Sequence, residues 1–158
     1  MDKSALRQAI IAQLQRELAL QSNAAHESRS EATDQESRAE GQYDMRGQSA
    51  AYLAAGQAKL AGEIADAIAA YRTLALPHFG PADPVAVGAL VTLARGGREL
   101  CYFVGPARGG LEVAVEGRTI TVITAASTLG RGLLGKRTGD RLPAPSGGAP
   151  GPTIAGIE

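Results

Sequence analysis

The stretch TITVITAASTLGRGLLGKRTGD, residues 119–140, changes from one structural pattern to another within a few positions. Its first part alternates Thr with Ile and Val, the β-branched residues that favour a strand. Ser127 follows as a helix N-cap, because its hydroxyl can accept a hydrogen bond from a free backbone N–H. The residues after it, TLGRGLLG, predict one short helix or helical turn. The stretch therefore indicates a strand that leads directly into a helix.

Further strand patterns lie on both sides of this stretch. VAVGALVTL, ELCYFVG and LEVAV precede it and TIAGI ends the chain, each apolar and separated from its neighbours by glycines or prolines. The glycine pairs Gly96-Gly97 and Gly109-Gly110 predict hairpin turns. Residues 85–158 are therefore expected to form a compact, mostly antiparallel β domain with one short helix.

Two helical patterns precede this β domain, and the prolines of residues 77–84 mark a linker between the two parts. Residues 4 to about 30 and about 45 to 74 each carry apolar residues at spacings of three and four, the seam pattern of a coiled coil. The first seam is Leu6, Ile10, Leu14 and Leu18, and the second is Leu53, Gln57, Leu60, Ile64, Ala67 and Tyr71.

Neither helix is apolar on all sides, so each must pair. One short connection makes an antiparallel hairpin over residues 1–76 the simplest solution. At about 1.5 Å per residue, such a hairpin is on the order of 40 Å long. The segment between the seams, residues 26–47, holds no Leu, Ile, Val or Phe and is rich in carboxylates. The fold class is thus α+β, a long helical hairpin with an acidic tip at about residues 31–44 and then the β domain.

The composition excludes several classes of protein. Lys and Arg balance Asp and Glu at 16 each, so no net charge draws the chain to nucleic acid or to an anionic membrane. No apolar run approaches the roughly 20 residues that a membrane span needs. The single cysteine fits a reducing compartment. A cytoplasmic protein without membrane association is expected.

The order of these parts, and the residues from Ser127 to Asp140, resemble the Gre family of bacterial transcript cleavage factors. STLGRGLLGKRTGD is similar to that family's signature S-P-[LI]-[GA]-[RK]-A-L-[LI]-G-K-[KR]-x-G-D. The resemblance implies an FKBP-like β domain that docks at the rim of the secondary channel of RNA polymerase. It also implies a hairpin that enters this channel and acts in transcription elongation, as a monomer that is not itself an enzyme.

The resemblance further implies that tip carboxylates help the polymerase's own active site to cleave backtracked RNA, with Mg²⁺ shared between the two proteins. In the family the tip reads D-x-x-E-N-A-E-Y. Aligned on Tyr43, the second acid falls on Glu40 and the first on Ser37, which cannot replace a carboxylate. Glu40, Asp34 and Glu36 are therefore the catalytic candidates, and Glu40 and Asp34 the metal ligands. Tyr43 and Arg46 are candidates for contact with the RNA 3′ end, since aromatic rings stack on bases and Arg pairs with phosphate. The alternative without a catalytic role is a solvated helix tip whose charged side chains are partly paired with one another.

The same resemblance makes the region after Ser127 a candidate polymerase-docking face. Its apolar and basic candidates are Leu129, Arg131, Leu133, Lys136 and Arg137, with Leu134 and Arg141 beside them. The leucines could equally belong to the core.

Three other functions remain to be weighed. Because Ser37 replaces an acid, a channel occupant that only binds, and so inhibits or competes with cleavage factors, is the alternative. A prolyl isomerase would need an aromatic-lined pocket, for which Phe79, Tyr102 and Phe103 are too few. A coiled-coil adaptor that dimerises through its arm conflicts with the glycines of the second helix.

Overall fold

The computed structural model describes residues 1–36, 45–80, 82–144 and 150–158. Two long helices come first, α1 at Lys3–Glu36 and α2 at Met45–Thr73. Four strands follow, β1 at Leu90–Arg95, β2 at Arg98–Gly105, β3 at Glu112–Val115 and β4 at Arg118–Thr124. A short helix, α3 at Thr128–Leu133, and a last strand, β5 at Thr153–Ile157, complete the fold. The predicted α+β fold class is confirmed: an N-terminal helical region precedes a mostly antiparallel five-stranded sheet with one short helix.

The sheet has the order β3-β4-β2-β1-β5. All neighbouring strands are antiparallel except β2 and β4, which pair in parallel. Gly96 and Gly97 join β1 to β2 with φ angles of 56° and 76°, so this hairpin turn is confirmed. The hairpin predicted at Gly109-Gly110 is wrong, because β3 pairs with β4 instead of β2. The turn between β3 and β4 uses Glu116 and Gly117, whose φ angles of 51° and 75° suit a two-residue hairpin loop.

One face of the sheet packs on α3 and on the segments that flank it. The buried cluster joins residues of β1, β2, β4 and β5 to α3 and its neighbours: Val85, Ala89, Val91, Leu93, Val104, Ile123, Leu133, Leu142, Ile154 and Ile157. Phe79, Tyr102 and Leu129 cover it as partly buried side chains. Because the chain has only two Phe and no Trp, most of the apolar area buried in the core comes from aliphatic side chains.

The chain divides into two compact units, residues 12–69 and a second unit of residues 1–11 with 70–158. The first unit holds α1 from residue 12 to its end and α2 from its beginning to residue 69. Leu14 and Ile64 are buried there, as their seam positions predict. Leu53 is 57% exposed while its neighbour Ala54 is buried, so the buried stripe of α2 shifts by one residue at this point. The large apolar side chain that the heptad pattern places in the seam therefore faces solvent.

In the second unit, two polar side chains, Lys3 and Tyr71, fix the start of α1 and the end of α2 to segments that flank strands of the sheet. The buried Lys3 amine donates hydrogen bonds to the carbonyls of Pro77 and Gly88 and lies 4.7 Å from the centre of the Phe79 ring. Burial lowers the pKa of this amine. Arg7, near the start of α1, donates to the carbonyl of Leu74, just after α2. The start of α1 therefore lies beside the end of α2, as an antiparallel pair requires.

Tyr71, in the last turn of α2, is the second polar anchor. Its ring is fully buried and its hydroxyl donates a 2.8 Å hydrogen bond to the carbonyl of Ala107, in the turn after β2. Burial raises the pKa of the phenol strongly. Gly105 makes room for the ring, because a Cβ at this position would lie 2.2 Å from the Tyr71 hydroxyl oxygen. A glycine at the end of β2 and a tyrosine at the end of α2 are thus fitted to each other.

Candidate functional site: an acidic tip and a basic face around α3

The stretch predicted as the acidic tip, residues 31–44, includes the end of α1 and runs up to the first residue of α2. α1 continues to Glu36, about six residues beyond its predicted end, and α2 begins at Met45. Asp34 and Glu36 therefore occupy the last turn of α1, and Arg46 the first turn of α2, but their side chains are not described. Glu40 and Tyr43, with Ser37, lie outside the described residues. The catalytic, metal and RNA-contact roles given to these positions stay predictions.

The tip sequence offers one kind of metal donor. Residues 27–44 contain six carboxylates and no His or Cys. Carboxylate oxygen is the donor that a hard cation such as Mg²⁺ prefers, so the donor set fits the metal that the resemblance implies. Elsewhere in the described part of the chain, no group of three His, Cys, Asp or Glu side chains could hold a metal ion.

The second candidate site is built on α3, whose start is held tightly against the end of β4. The Ser127 hydroxyl donates to the carbonyl of Thr124 at 2.8 Å and accepts from the Gly130 N–H at 3.0 Å. This confirms Ser127 as the N-cap. A Cβ on Gly130 would lie 1.9 Å from the Thr124 carbonyl oxygen, so glycine is required for the approach. The capped turn sets the direction in which α3 presents its side chains.

The structure divides the predicted docking residues between core and surface. Leu133 is fully buried in the core, which corrects its assignment as a docking residue, since a side chain without accessible surface cannot contact a partner. Leu129 is half-buried and Arg131 and Arg137 are exposed. Arg131 donates to the carbonyl of Ala126, and this contact holds the guanidinium beside α3. Lys136 is half-buried.

Arg131 and Lys136 line an open cleft of about 720 Å³. We call it the α3 cleft. It is lined by Arg131, Gly132, Leu134, Gly135, Lys136, Arg141, Leu142 and Pro143. Three basic residues and no Asp or Glu belong to this described lining, and the Leu134 side chain is 37% exposed within it. The cleft thus combines positive charge with an accessible apolar side chain, a combination typical of a protein-docking surface. Leu142 and Pro143 lie in a segment without a motif, so the sequence gives no signal for them.

No family model matches the chain, and no curated protein matches it significantly. No helix among the described residues has the length and apolarity to cross a membrane.

Three solved structures are similar over most of the chain. A structure of the transcription factor Gfh1 is 20% identical, with 94% of this chain and 93% of that chain covered and a TM-score of 0.39. The GreA factor homolog 1 (Gfh1) of Thermus thermophilus is 20% identical, with 94% of both chains covered and a TM-score of 0.36. Gfh1 of Thermus aquaticus is 19% identical, with 92% of both chains covered and a TM-score of 0.36.

Proposed function

We propose that this chain is a cytoplasmic RNA polymerase-binding factor that modulates transcription elongation. In this proposal the helical pair enters the secondary channel and the tip carboxylates stimulate the polymerase's own cleavage of backtracked RNA. The observation that carries the proposal is the position of the acidic stretch at the junction of two helices of 34 and 29 residues. At about 1.5 Å per residue, helices of this length extend on the order of 40–50 Å. That length suits the delivery of a few side chains to a buried site in another protein.

The chemistry required of the tip is small. When bound between the two proteins, Mg²⁺ would polarise the scissile phosphate and lower the pKa of an attacking water. Mg²⁺ keeps several water ligands and takes only one or two carboxylates from a protein partner, so two tip acids suffice. Asp34 and Glu36 occupy helix positions two residues apart, which do not share one face of a helix. We therefore assign Glu40 and only one of these two residues to the metal.

Cleavage of 3′-labelled RNA in a backtracked elongation complex tests this function. The release of short 3′ fragments should rise above the rate of polymerase alone when the wild-type protein is added. Glu40→Ala should lose at least about tenfold of that stimulation, which corresponds to ~1.4 kcal/mol of barrier. One of Asp34→Ala and Glu36→Ala should lose a similar amount. Glu27→Ala, which removes an exposed carboxylate lower on α1, is the matched control and should behave as wild type.

A second function is favoured by Ser37, which stands where the resemblance places the first acid. In that case the protein occupies the channel without supplying a second carboxylate and slows or blocks cleavage. The same assay separates the two functions. Wild-type protein that binds the polymerase and inhibits cleavage by a Gre factor, without any stimulation of its own, would replace the first proposal with the second.

A further inference from the structure

A separate cavity of about 450 Å³ lies where the start of α1, the segment after α2 and the residue after β5 come together. It is lined by residues 1–4, 76, 78, 79 and 158, and we call it the junction cavity. All of these residues belong to one compact unit, residues 1–11 with 70–158. Small-molecule sites in proteins are typically cavities of about 300–1,000 Å³ with apolar walls and a few converging polar groups. The junction cavity falls within this range of size.

The Lys3 ammonium is the buried charge of this cavity. Its side chain is 7% exposed, donates to the carbonyls of Pro77 and Gly88 and lies over the Phe79 ring. None of the ion pairs among the described residues involves Lys3. Burial lowers the pKa of this amine, and it outweighs the opposite effect of the more distant Glu158 carboxylate. Because a buried charge without a counterion is unfavourable, an anion in the cavity would stabilise the ammonium.

Two carboxylates also line the junction cavity, and both already have donors of their own. The Asp2 carboxylate accepts a 2.8 Å hydrogen bond from the Ser4 N–H at the start of α1. The Glu158 carboxylate accepts a 2.5 Å hydrogen bond from the Met1 amine. Lys3, by contrast, is held by two neutral carbonyls and a ring. The charge that remains without a direct opposite partner in this described lining is therefore positive.

The rest of the lining is apolar or donates hydrogen bonds. Leu76 and Phe79 are half-buried, and the exposed His78 lies between them in sequence. An inorganic ion alone would leave Leu76 and Phe79 in contact with water, whereas a ligand with an apolar part would cover them. The lining thus matches an oxyanion that is attached to a small apolar group.

We propose that the junction cavity binds a small organic anion, with its phosphate or carboxylate group on the Lys3 ammonium and its apolar part against Leu76 and Phe79. The His78 imidazole adds a hydrogen-bond donor to the same oxyanion. The cavity shares no residue with the α3 cleft or with the acidic tip. The site is therefore independent of the proposed function in transcription.

NMR titration of the ¹⁵N-labelled full-length protein with four small probes tests the charge and shape of the site. Phenyl phosphate and benzoate carry an oxyanion on a ring, inorganic phosphate lacks the ring, and benzylamine has the opposite charge. The better of the two aromatic anions should bind at least about tenfold more tightly than benzylamine, with shifts at the Lys3, Ser4 and Phe79 amides. The comparison of phenyl phosphate with benzoate shows which oxyanion is preferred. Inorganic phosphate should bind more weakly than phenyl phosphate.

Three variants assign the binding to the cavity. Lys3→Met removes the ammonium and should weaken binding of the preferred anion by about tenfold or more. Lys59→Met is the matched control, since Lys59 is 81% exposed on α2 and does not line the cavity, and it should bind the anion as the wild type does. His78→Ala removes an exposed side chain and should weaken binding by about threefold. This variant keeps the site testable if Lys3→Met does not fold.

Several results would overturn the site. Benzylamine that binds as tightly as the aromatic anions would refute its charge, and inorganic phosphate that binds as tightly as phenyl phosphate would refute its apolar part. Amide shifts confined to other parts of the chain, or unchanged affinity in both Lys3→Met and His78→Ala, would refute its place. No binding of either aromatic anion at about 10 mM would also refute it, because a ligand of this size with ordinary efficiency should then be at least half bound.

Discussion

The contact between Gly105 and Tyr71 predicts a strong energetic coupling between two residues 34 positions apart. A Cβ at position 105 would lie 2.2 Å from the Tyr71 hydroxyl oxygen, 3.1 Å from Cζ and 3.2 Å from Val122 Cγ1. Gly105→Ala must therefore displace the fully buried ring. Overpacking of this kind costs about 1–3 kcal/mol, and loss of the hydrogen bond to Ala107 adds about 0.5–1.5 kcal/mol. We expect a loss of about 2–4 kcal/mol in the free energy of unfolding.

Tyr71→Phe removes the atom that makes the shortest of these contacts. By itself it should cost about 1 kcal/mol, the value of the hydrogen bond to Ala107. In the Tyr71→Phe protein, Gly105→Ala leaves the 3.1 Å contact with the ring as the shortest, and a shift of a few tenths of an ångström relieves it. The double variant should therefore be more stable than the sum of the single losses predicts, by about 1–3 kcal/mol.

Urea denaturation followed by far-UV circular dichroism measures all four proteins of this cycle, and equal m-values show that their denatured states are comparable. Gly109→Ala is the control for adding a methyl group to a glycine near the same turn. Its Cβ would meet only the ordinary 3.5 Å distance to Thr124 Cγ2. If the two single losses add to the double loss within about 0.5 kcal/mol, the close fit of Gly105 to Tyr71 is refuted.

Three further predictions follow from the same unit. Burial raises the pKa of Tyr71 above its ordinary value of 10.0, so the folded protein keeps this proton where the unfolded chain loses it. Above pH 10, the free energy of unfolding of the wild type should therefore fall by about 1.4 kcal/mol per pH unit relative to that of Tyr71→Phe. Below pH 10, the two proteins should show the same dependence of stability on pH. Urea denaturation at a series of pH values measures both. Lys3→Met keeps an unbranched side chain but removes the contacts with the Pro77 and Gly88 carbonyls and with the Phe79 ring. This substitution should lower the free energy of unfolding by about 1–3 kcal/mol. An unchanged urea midpoint would contradict this prediction. Gly130→Ala should lower the free energy of unfolding by more than about 3 kcal/mol or prevent folding, because its Cβ would meet a backbone carbonyl that no rotamer change can move. A native-like melting curve of this variant would exclude that contact.

Local patterns predicted the elements of this fold well, because helices and strands each have a characteristic spacing of apolar residues. A short window of sequence shows the β-branched run before Ser127, the capping serine itself and the four-residue spacing of Leu6, Ile10 and Leu14. The pairing of strands is not. Gly109-Gly110 carries the composition of a hairpin turn, yet the turn between paired strands is at Glu116-Gly117. Only long-range packing decides that β2 lies parallel to β4, and a sequence window does not contain that information.

The candidate sites show the same difference between local and distant information. The residues after Ser127 mark a surface because they form a motif, but the motif does not say which leucine faces inward. Leu133 is in the core and Leu134 is accessible, although they are neighbours. No local motif marks the groove that Leu93, Leu100, Tyr102, Leu129 and Pro152 line, because three separate segments of the chain assemble it. Arg95 and Arg98 follow a strand pattern interrupted by Gly96-Gly97, and only the pairing of β1 with β2 brings both to one face with Leu100.

The neutral net charge of the chain conceals two opposite local charges, and the proposed function needs both. Residues 27–44 carry six carboxylates and two arginines, whereas the clefts around α3 are lined by five cations and no described acid. An acidic tip alone would be repelled by the phosphates of RNA until a metal ion neutralised it, so the tip cannot supply the affinity for a transcribing polymerase. In the proposed function, the basic surface supplies this affinity. Added salt should therefore weaken binding at the basic surface, because exposed charges are screened beyond roughly 10 Å at 0.1 M salt, while loss of the tip acids should leave binding largely intact and reduce cleavage. A protein in which Glu40→Ala abolished binding, and removal of Arg95 and Arg98 abolished only cleavage, would have these two roles reversed.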